Sequence, residues 1–328
     1  MSIRTGVVGL GAHAQTVHIP ILVESNQFEV IGICDRDPRK LTIIGEKYGI
    51  KKRYHDFQEM IRDEEIEAVI IVTPDPFHHV MAIPALESGK HVLCEKPMAR
   101  TVKEAEAVAE VARRIDRVFA LGLNERFRPE VQEIKLLIEN GELGKISYLK
   151  AGWLNNWQDW QLDQWHRARV ASGAFATLGV HLLDIVLWLT EESPISISGW
   201  THHRSDGIED IAVAQLRFPN TFVSIEVGWS LLMERDFVYC NIFGTKGAAL
   251  LNPFRVHRIV RGKMIDATPP LRLRDSYLAS FRIQLSFFGN AIMGKGRFPF
   301  SWADGIKIAN IIDAFYRSAT SGKEVGLS

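Results

Sequence analysis

Hydrophobic and polar positions follow two different periods along this chain, and the change comes after about a third of its length. Over residues 1–123, short runs rich in β-branched residues are separated by longer stretches with apolar residues at helical spacing. Such alternation indicates a parallel sheet with crossover helices. We predict strands at residues 3–8, 28–34, 68–72, 91–94 and 118–123, and helices at residues 18–25, 38–48, 77–88 and 102–114.

The second part of the chain is dominated by long alternating runs joined by short turns such as Pro219-Asn220. This pattern is typical of antiparallel strands with one buried face. We predict strands at residues 146–154, 197–202, 210–218, 221–231, 237–243 and 256–260, and helices at residues 129–139, 181–189 and 304–320.

The expected fold class is therefore α/β, with two domains. Residues 1–123 form a parallel-sheet domain, and residues 124–328 form an α+β domain with a large, mostly antiparallel sheet. The last helix either stays with the second domain or packs back toward the first. A chain of 328 residues is longer than one hydrophobic core usually fills, which agrees with two domains.

Composition excludes several classes of function. The 39 basic and 39 acidic residues cancel, so no overall field attracts nucleic acid or anionic lipid. No apolar run reaches the roughly 20 residues that cross a bilayer. Cys34, Cys94 and Cys240 contain no C-x-x-C pair, which indicates neither a disulfide framework nor a metal site and favours the cytoplasm. We expect a small-molecule ligand, with no nucleic-acid or membrane partner.

Gly9-x-Gly11-x-x-Ala14 lies between the first predicted strand and the first predicted helix, which is the context of a dinucleotide-binding turn. Gly9 permits a tight turn, Gly11 leaves room for a pyrophosphate, and Ala14 allows close packing of the helix. The N-terminus of that helix favours negative charge. Ala12 and His13 complete the predicted cofactor-binding turn. The alternative is a tight turn without a ligand.

Asp35 ends the second predicted strand, where a carboxylate can accept hydrogen bonds from the ribose of NAD. Arg36 leaves alternatives open, because it can pair with the 2′-phosphate of NADP, lie over the adenine, or join Arg39 on a solvated loop. We expect NAD, with NADP as the alternative.

Glu95-Lys96-Pro97 ends the predicted strand at residues 91–94. A lysine at the carboxyl end of a parallel strand points into the crevice where open α/β sheets bind ligands, so its ammonium can meet a substrate beside a nicotinamide. The alternative is a solvated loop charge.

Thr73-Pro74 follows the third predicted strand, and prolines there hold the backbone extended near the expected cofactor. His78, a few residues later, either belongs to that cofactor site or is a structural residue at the start of a helix.

His181 and Asp184 share one face of a predicted helix. An imidazole and a carboxylate on one face can serve as general base and substrate acceptor. A buried histidine at a helix start is the alternative.

Four tryptophans, including Trp165, fall among amides and carboxylates such as Asn155 and Asp163. This mixture of flat aromatic surfaces and hydrogen-bonding groups suits the binding of a polyhydroxylated ring. The alternative is that the tryptophans pack in the core or at an interface.

Together these motifs resemble the glucose-fructose oxidoreductase / inositol dehydrogenase family, Gfo/Idh/MocA, over nearly the whole chain. The resemblance implies a Rossmann dinucleotide-binding domain and hydride transfer between a substrate carbon and nicotinamide C4. By position, it implies that Lys96 contacts the reacting hydroxyl, that His181 exchanges its proton, that Asp184 binds substrate, and that Asn124 lies close to the nicotinamide.

Thr177 departs from the family pattern, in which many members have an aspartate four residues before the histidine. A carboxylate there would stabilise the protonated imidazole, whereas a hydroxyl supplies a hydrogen bond without charge. We expect Thr177 to remain near the substrate, with His181 using another carboxylate or with a substrate that needs less proton abstraction.

The sequence thus predicts an NAD(P)-dependent oxidoreductase that acts on a secondary alcohol or ketone of a sugar, cyclitol or related polyol. The alternatives are a dinucleotide-binding sensor that has lost the chemistry, and an NAD-dependent enzyme that cleaves glycosides. The family resemblance also implies a homodimer or homotetramer formed through the second-domain sheet.

Overall fold

Two sheets organise the structure, which is a computed structural model that describes residues 2–156, 172–205, 207–271 and 275–327. The chain divides into two compact units. The first contains Met1–Asn124 and Tyr277–Ala309, and the second contains Glu125–Ser276 and Asn310–Ser328. The units do not follow a single cut in the sequence, because a late segment groups with the amino-terminal residues.

The α-helices and β-strands are numbered along the chain. The helices are α1 (Ile19–Glu24), α2 (Pro38–Tyr48), α3 (Phe57–Arg62), α4 (His78–Glu87), α5 (Val102–Arg114), α6 (Pro129–Glu139), α7 (Val180–Thr190), α8 (Ser276–Ile292) and α9 (Trp302–Ser321). The strands are β1 (Ile3–Val8), β2 (Phe28–Cys34), β3 (Lys52–Tyr54), β4 (Ala68–Ile71), β5 (His91–Glu95), β6 (Phe119–Gly122), β7 (Ile146–Leu154), β8 (Ser196–His203), β9 (Glu209–Arg217), β10 (Phe222–Gly228), β11 (Phe237–Gly244), β12 (Gly247–Leu251), β13 (Phe254–Val260), β14 (Lys263–Asp266) and β15 (Val325–Gly326).

The sheet of the first unit is parallel, as predicted. Within the described residues its strands lie in the order β3-β2-β1-β4-β5-β6. This is the Rossmann order. From β1, the chain adds strands on one side of the sheet and then, from β4 onward, on the other side. Ligands bind at this switch point, outside the carboxyl ends of the strands. The core around this sheet includes Phe281, Leu285 and Phe288 of α8, which explains why that helix groups with the first unit.

The sheet of the second unit is mostly antiparallel, again as predicted. Its described strands lie in the order β14-β13-β12-β11-β7-β10-β9-β8-β15, and the pair β7–β10 is parallel. The core of this unit contains the buried face of α7 and the end of α9. Phe175 and Phe315 stack there with ring centroids 3.7 Å apart. Gly199 permits this close packing, since a Cβ at that position would lie 2.6 Å from the Phe315 ring.

Three predicted strands and three predicted helices are confirmed to the residue. They are β1, β2, β7, α2, α5 and α6. The sequence analysis did not predict α8, α3 or the short strands β3, β12, β14 and β15. The predicted helix at residues 18–25 is corrected, because a π-helix at Ala14–His18 precedes α1.

None of the helices in the described part of the chain combines the length and the apolar character needed to cross a membrane. Cys34, Cys94 and Cys240 are buried free thiols.

A capping box is present at the start of α5. The Thr101 hydroxyl accepts a hydrogen bond from the main-chain N–H of Glu104, and the Glu104 carboxylate accepts from the main-chain N–H of Thr101. We expect Thr101→Ala to lower the free energy of unfolding by about 1 kcal/mol, because it leaves a helix N–H without its acceptor. Urea unfolding of the full chain measures the loss. Thr101→Ser retains the acceptor and should stay near the original midpoint, so equal losses in both variants would contradict the capping argument.

Candidate active site

The glycine turn after β1 contains one position that only glycine fits, Gly9, and one position with free space beside the backbone, Gly11. Gly9 has φ +88°, and a Cβ there would lie 2.6 Å from the main-chain oxygen of Val72. A Cβ on Gly11 would meet no atom within 4 Å, so the backbone is accessible on that side. Ala14 is fully buried where the π-helix begins. The turn therefore has the shape that close approach of a pyrophosphate to the backbone requires.

Asp35 directly follows β2, and the main chain holds its carboxylate in place. The N–H of Leu10 donates to Oδ2 at 2.7 Å, and the N–H of Asp37 donates to Oδ1 at 2.9 Å. Each carboxylate oxygen can accept a further hydrogen bond. Next to it, the Arg36 guanidinium lies over the Phe77 ring, 5.6 Å from the centroid.

The carboxylate of Glu95 is a buried acceptor at the end of β5. Its Oε1 lies 2.7 Å from His18 Nε2 and 3.3 Å from His13 Nε2, and its Oε2 accepts from the main-chain N–H of Lys96 at 3.3 Å. Burial by itself raises the pKa of Glu95, but the hydrogen bonds from the two histidines outweigh it and hold the pKa well below 4.5. Glu95 is therefore an ionised carboxylate that joins the glycine turn to the segment carrying Lys96.

The π-helix at Ala14–His18 places both histidines on this carboxylate. A π-helix pairs residue i with residue i+5, and the rings of His13 and His18, five positions apart, have centroids 5.0 Å from each other. Burial lowers the pKa of His18, which favours a neutral ring whose Nε2–H donates to Glu95. Its Nδ1 has no hydrogen-bond partner within the described residues. The atoms of these three side chains that could bind a metal ion lie within 4.8 Å of one another. The contacts of Glu95 with the two histidines have distances typical of hydrogen bonds. The sequence analysis did not identify His18, although this residue follows the glycine turn closely and Glu95 belongs to a motif that the analysis used.

Lys96 is half-buried just beyond β5. Burial lowers its pKa below 10.5, against the opposing effect of the carboxylates of Glu95 and Asp75. Near the same edge of the sheet, Thr73 Oγ1 is a buried polar atom without a hydrogen-bond partner in the described part of the chain. His78 contacts the main-chain oxygens of Thr73 and Pro97. The predicted residues thus lie just after β4, at the start of α4 and at the end of β5; they are Thr73, Pro74, His78, Glu95 and Lys96.

Asn124, predicted to lie near the nicotinamide, is 3% exposed at the end of the amino-terminal segment of the first unit. Its Nδ2 donates to Ser280 Oγ of α8 at 2.9 Å. The side chain is therefore held by a residue 156 positions later in the sequence.

In the second unit, His181 lies in the first turn of α7 and is 6% exposed. Its ring lies against that of Trp153 in β7, with centroids 5.2 Å apart. A second π-helix, Phe175–Gly179, precedes α7 and contains Thr177. The Thr177 hydroxyl donates to the main-chain oxygen of Ser172 at 3.3 Å, so it adds no charge beside the histidine helix.

Asp184 is fully buried in an ion pair with Arg126. Arg126 Nε donates to Oδ2 at 2.8 Å and its Nη2 donates to Oδ1. Both carboxylate oxygens thus share one guanidinium, which also lies over the Trp188 ring at 5.0 Å. The sequence analysis did not identify this pairing, which joins residues 58 positions apart. The predicted part of Asp184 in substrate binding remains a prediction.

Asn155, a predicted substrate residue, is 1% exposed just beyond β7. Its main-chain N–H donates to Gly228 O at 2.7 Å, and its own carbonyl accepts from Leu231 N at 3.2 Å. These bonds fix the backbone where β7 and β10 end. Two further predicted residues, Trp165 and Asp163, lie outside the described residues.

Glu209 was not identified from the sequence, although it lies close to the start of the histidine-bearing helix. Its carboxylate accepts from the main-chain N–H of Phe175 at 2.8 Å and from the Tyr316 hydroxyl at 2.7 Å. Burial raises the pKa of Glu209, against these two hydrogen bonds. A Cβ on Gly173 would lie 1.9 Å from the Glu209 carboxylate, so this glycine makes room for it.

Comparison with known proteins agrees with this arrangement. The family description "Oxidoreductase family, NAD-binding Rossmann fold" matches residues 3–123, and the description "GFO/IDH/MocA C-terminal domain" matches residues 131–250. The chain is 25% identical to D-glucoside 3-dehydrogenase of Escherichia coli K12, over 99% of this chain and 97% of that protein. It is also 25% identical to inositol 2-dehydrogenase of Salmonella typhimurium LT2, over 98% of this chain and 96% of that protein.

Solved structures show the same fold. Levoglucosan dehydrogenase in complex with NADH and L-sorbose superposes with a TM-score of 0.90 at 22% identity, over 100% of both chains. Both predicted sheets, the glycine turn between β1 and the first helical segment, and the two family descriptions agree. The chain therefore belongs to the GFO/IDH/MocA family of oxidoreductases, whose amino-terminal Rossmann domain binds NAD.

Proposed function

We propose that this enzyme transfers a hydride between NAD and a secondary alcohol or ketone of a sugar, cyclitol or related polyol. The observation that carries the proposal is Lys96, an amine at the carboxyl end of β5 whose pKa is lowered by burial. A cation in that position can polarise a substrate oxygen. The names of the relatives, which include dehydrogenases of glucosides and inositol, support the same substrate class.

The first unit fits NAD on three features of its own. The backbone is open at Gly11, the Asp35 carboxylate has remaining acceptor capacity for a ribose, and the buried Thr73 Oγ1 has no partner in the described part of the chain. NAD, when bound, supplies the carbon that accepts or donates the hydride. Arg36 already lies over Phe77, which supports NAD rather than NADP. Gly9, Ala12, His13, Ala14, Pro74, His78, Glu95 and Asn124 complete the proposed cofactor-binding set.

In the oxidative direction, the Lys96 ammonium stabilises the negative charge that develops on the substrate oxygen, and His181 accepts the hydroxyl proton. Glu95 fixes the main-chain N–H of Lys96, so the amine extends from a rigid backbone. Packing of His181 against Trp153 restricts the imidazole in the same way. Asp184, Thr177, Asn155, Trp165 and Asp163 are the proposed substrate-binding residues.

We also propose a homodimer or homotetramer formed through the sheet of the second unit. Phe222, Tyr148 and Phe243 of three adjacent strands stack side by side, with centroids 6.2 and 5.9 Å apart, and the two phenylalanines are 43% and 38% exposed. An exposed aromatic row of this kind favours association. The buried free thiols support a reducing cytoplasm as the compartment.

The function is tested by incubating the enzyme with NAD and a panel of sugars, cyclitols and glycosides, while NADH formation and sugar release are followed together. We expect NADH without sugar release. Sugar release without NADH would instead indicate glycoside cleavage, and NAD binding without either product would indicate a sensor.

Lys96→Met removes the cation and should reduce kcat by about 100-fold or more while NAD binding stays within about threefold. Unchanged turnover in this variant would exclude Lys96 from the reaction.

The lowered pKa of Lys96 gives a pH dependence whose sign is fixed. Because the ammonium is the active form, kcat/KM should fall as pH rises through the Lys96 pKa, with a midpoint below the ordinary 10.5. Lys96→Arg keeps a permanent cation, so its residual activity should show this alkaline decrease only at higher pH. The measurement is kcat/KM against pH for both proteins. Superimposable alkaline limbs would contradict the assignment.

Thr177→Asp tests whether charge near the histidine helix sets the strength of His181 as a base. An added carboxylate favours the protonated imidazole, so the acid limb of the kcat/KM profile for alcohol oxidation should move up by about one pH unit. Thr177→Asn has the same shape without the charge and should leave that limb in place. An identical acid limb in the Asp variant, or an equal shift in both variants, would contradict the electrostatic explanation.

A further inference from the structure

Glu209, at the start of β9, holds the first residue of the π-helix that leads to His181. Its carboxylate is buried and accepts a hydrogen bond from the main-chain N–H of Phe175 at 2.8 Å. Phe175 begins the π-helix Phe175–Gly179, and α7 follows directly, with His181 in its first turn. The anchored residue and the proposed base thus belong to one continuous helical segment.

Tyr316 of α9 bonds to the second oxygen of this carboxylate. Its hydroxyl donates to Glu209 Oε2 at 2.7 Å, whereas the Phe175 N–H donates to Oε1. Burial and the Glu209 carboxylate raise the pKa of Tyr316, so the hydroxyl keeps its proton and remains a donor. Burial also raises the pKa of Glu209, and the hydrogen bonds from Tyr316 and Phe175 oppose that effect. The carboxylate is therefore the common acceptor of one side-chain donor and one main-chain donor.

The Phe175 side chain connects this anchor to the end of the π-helix. A Cβ on Gly179 would lie 2.8 Å from the Phe175 ring, so the ring packs directly against the last residue before α7. The ring also stacks on Phe315, the neighbour of Tyr316 in α9, with centroids 3.7 Å apart. Protein interiors have few voids that could absorb a displacement. A shift of Phe175 is therefore passed along the segment.

We propose that Glu209 and Tyr316 are positioning residues for His181 and act through the π-helix. Loss of the Tyr316 hydroxyl leaves one oxygen of Glu209 without its donor, and loss of the carboxylate leaves the Phe175 N–H without its acceptor. Either change shifts the start of the helical segment, and the imidazole moves with it. A misplaced catalytic group loses much of its effect, so the pair sets turnover. The inference rests on the proposed function, in which His181 is the base.

The kinetics of Tyr316→Phe test the positioning role, with Tyr239→Phe as the matched control. Tyr239 is a buried tyrosine of the same unit, and its hydroxyl also donates to a glutamate, Glu226 of β10. We expect Tyr316→Phe to lower kcat by about tenfold or more, with the NAD dissociation constant within about threefold, because the proposed NAD-binding residues lie in the first unit. Tyr239→Phe should leave both values unchanged. Wild-type kcat in Tyr316→Phe, or equal losses in both variants, would contradict the proposal.

The NMR signals of His181 separate positioning from a general loss of stability. In the full chain with ¹⁵N-labelled histidine, the ring signals of His181 are assigned by their loss in His181→Asn. We expect them to move in Tyr316→Phe and to stay in place in Tyr239→Phe. Unchanged His181 signals in Tyr316→Phe would overturn the inference. Because the spectrum needs no turnover, it distinguishes failure of this inference from failure of the proposed alcohol oxidation, which would leave the wild-type enzyme without NADH formation.

Glu209→Gln tests whether the two residues act as a unit. Glutamine keeps the size of the side chain but has one acceptor oxygen where glutamate has two, so it cannot serve both donors. We expect a loss of kcat similar to that in Tyr316→Phe, and no further loss when the two changes are combined. Losses that multiply in the double variant would indicate independent roles and count against the proposal. If the unfolding midpoint shows that Tyr316→Phe folds poorly, Glu209→Gln supplies the same kinetic and NMR comparison.

Discussion

The hydrogen bonds to the buried carboxylate of Glu95 hold together the segments of the first unit that carry the proposed cofactor-binding residues. The carboxylate accepts hydrogen bonds from His13 beside the glycine turn, from His18 at the end of the π-helix, and from the main chain of Lys96. An ionised group without water is costly unless donors surround it, so these three segments must stay together for the carboxylate to remain charged. Gly122 on β6 is part of this constraint, since a Cβ there would lie 2.8 Å from the carboxyl group.

The sequence predicted most of the fold because its patterns are local. The bounds of α2 follow from Pro38 at its first turn and from Gly49 at its end, where φ is +69°. The alternation of apolar and polar residues alone predicted the strands β7, β9 and β11, with bounds that are correct or within one residue of those observed. The strand β3 escaped prediction because Lys52-Arg53-Tyr54 has no apolar alternation, and it forms only by pairing with β2 at the sheet edge. The segment containing α8 could not be assigned to the first unit, because nothing local reveals which core receives its aromatic face.

Motifs identified the candidate site, whereas its pairings depend on tertiary structure. Lys96 and His181 were identified because each lies in a short pattern of known geometry. The partner of Asp184 was not, since Arg126 lies 58 residues away and either residue could have faced solvent. The same holds for Glu209, whose neighbours Phe175 and Tyr316 are distant along the chain. Such contacts follow from packing, and no spacing rule encodes them.

Each unit has a π-helix next to a buried histidine: Ala14–His18 ends at His18 itself, and Phe175–Gly179 directly precedes α7, which carries His181. A π-turn accommodates one residue more than an α-turn at the same place. In an ordinary α-helix, two residues five positions apart lie about 140° apart around the axis, because each residue turns the chain by about 100°. The π-turn at Ala14–His18 is therefore what allows His13 and His18 to reach the same carboxylate. Conversion of this segment to an ordinary α-helix of the same sequence would turn one of the two histidines away from Glu95.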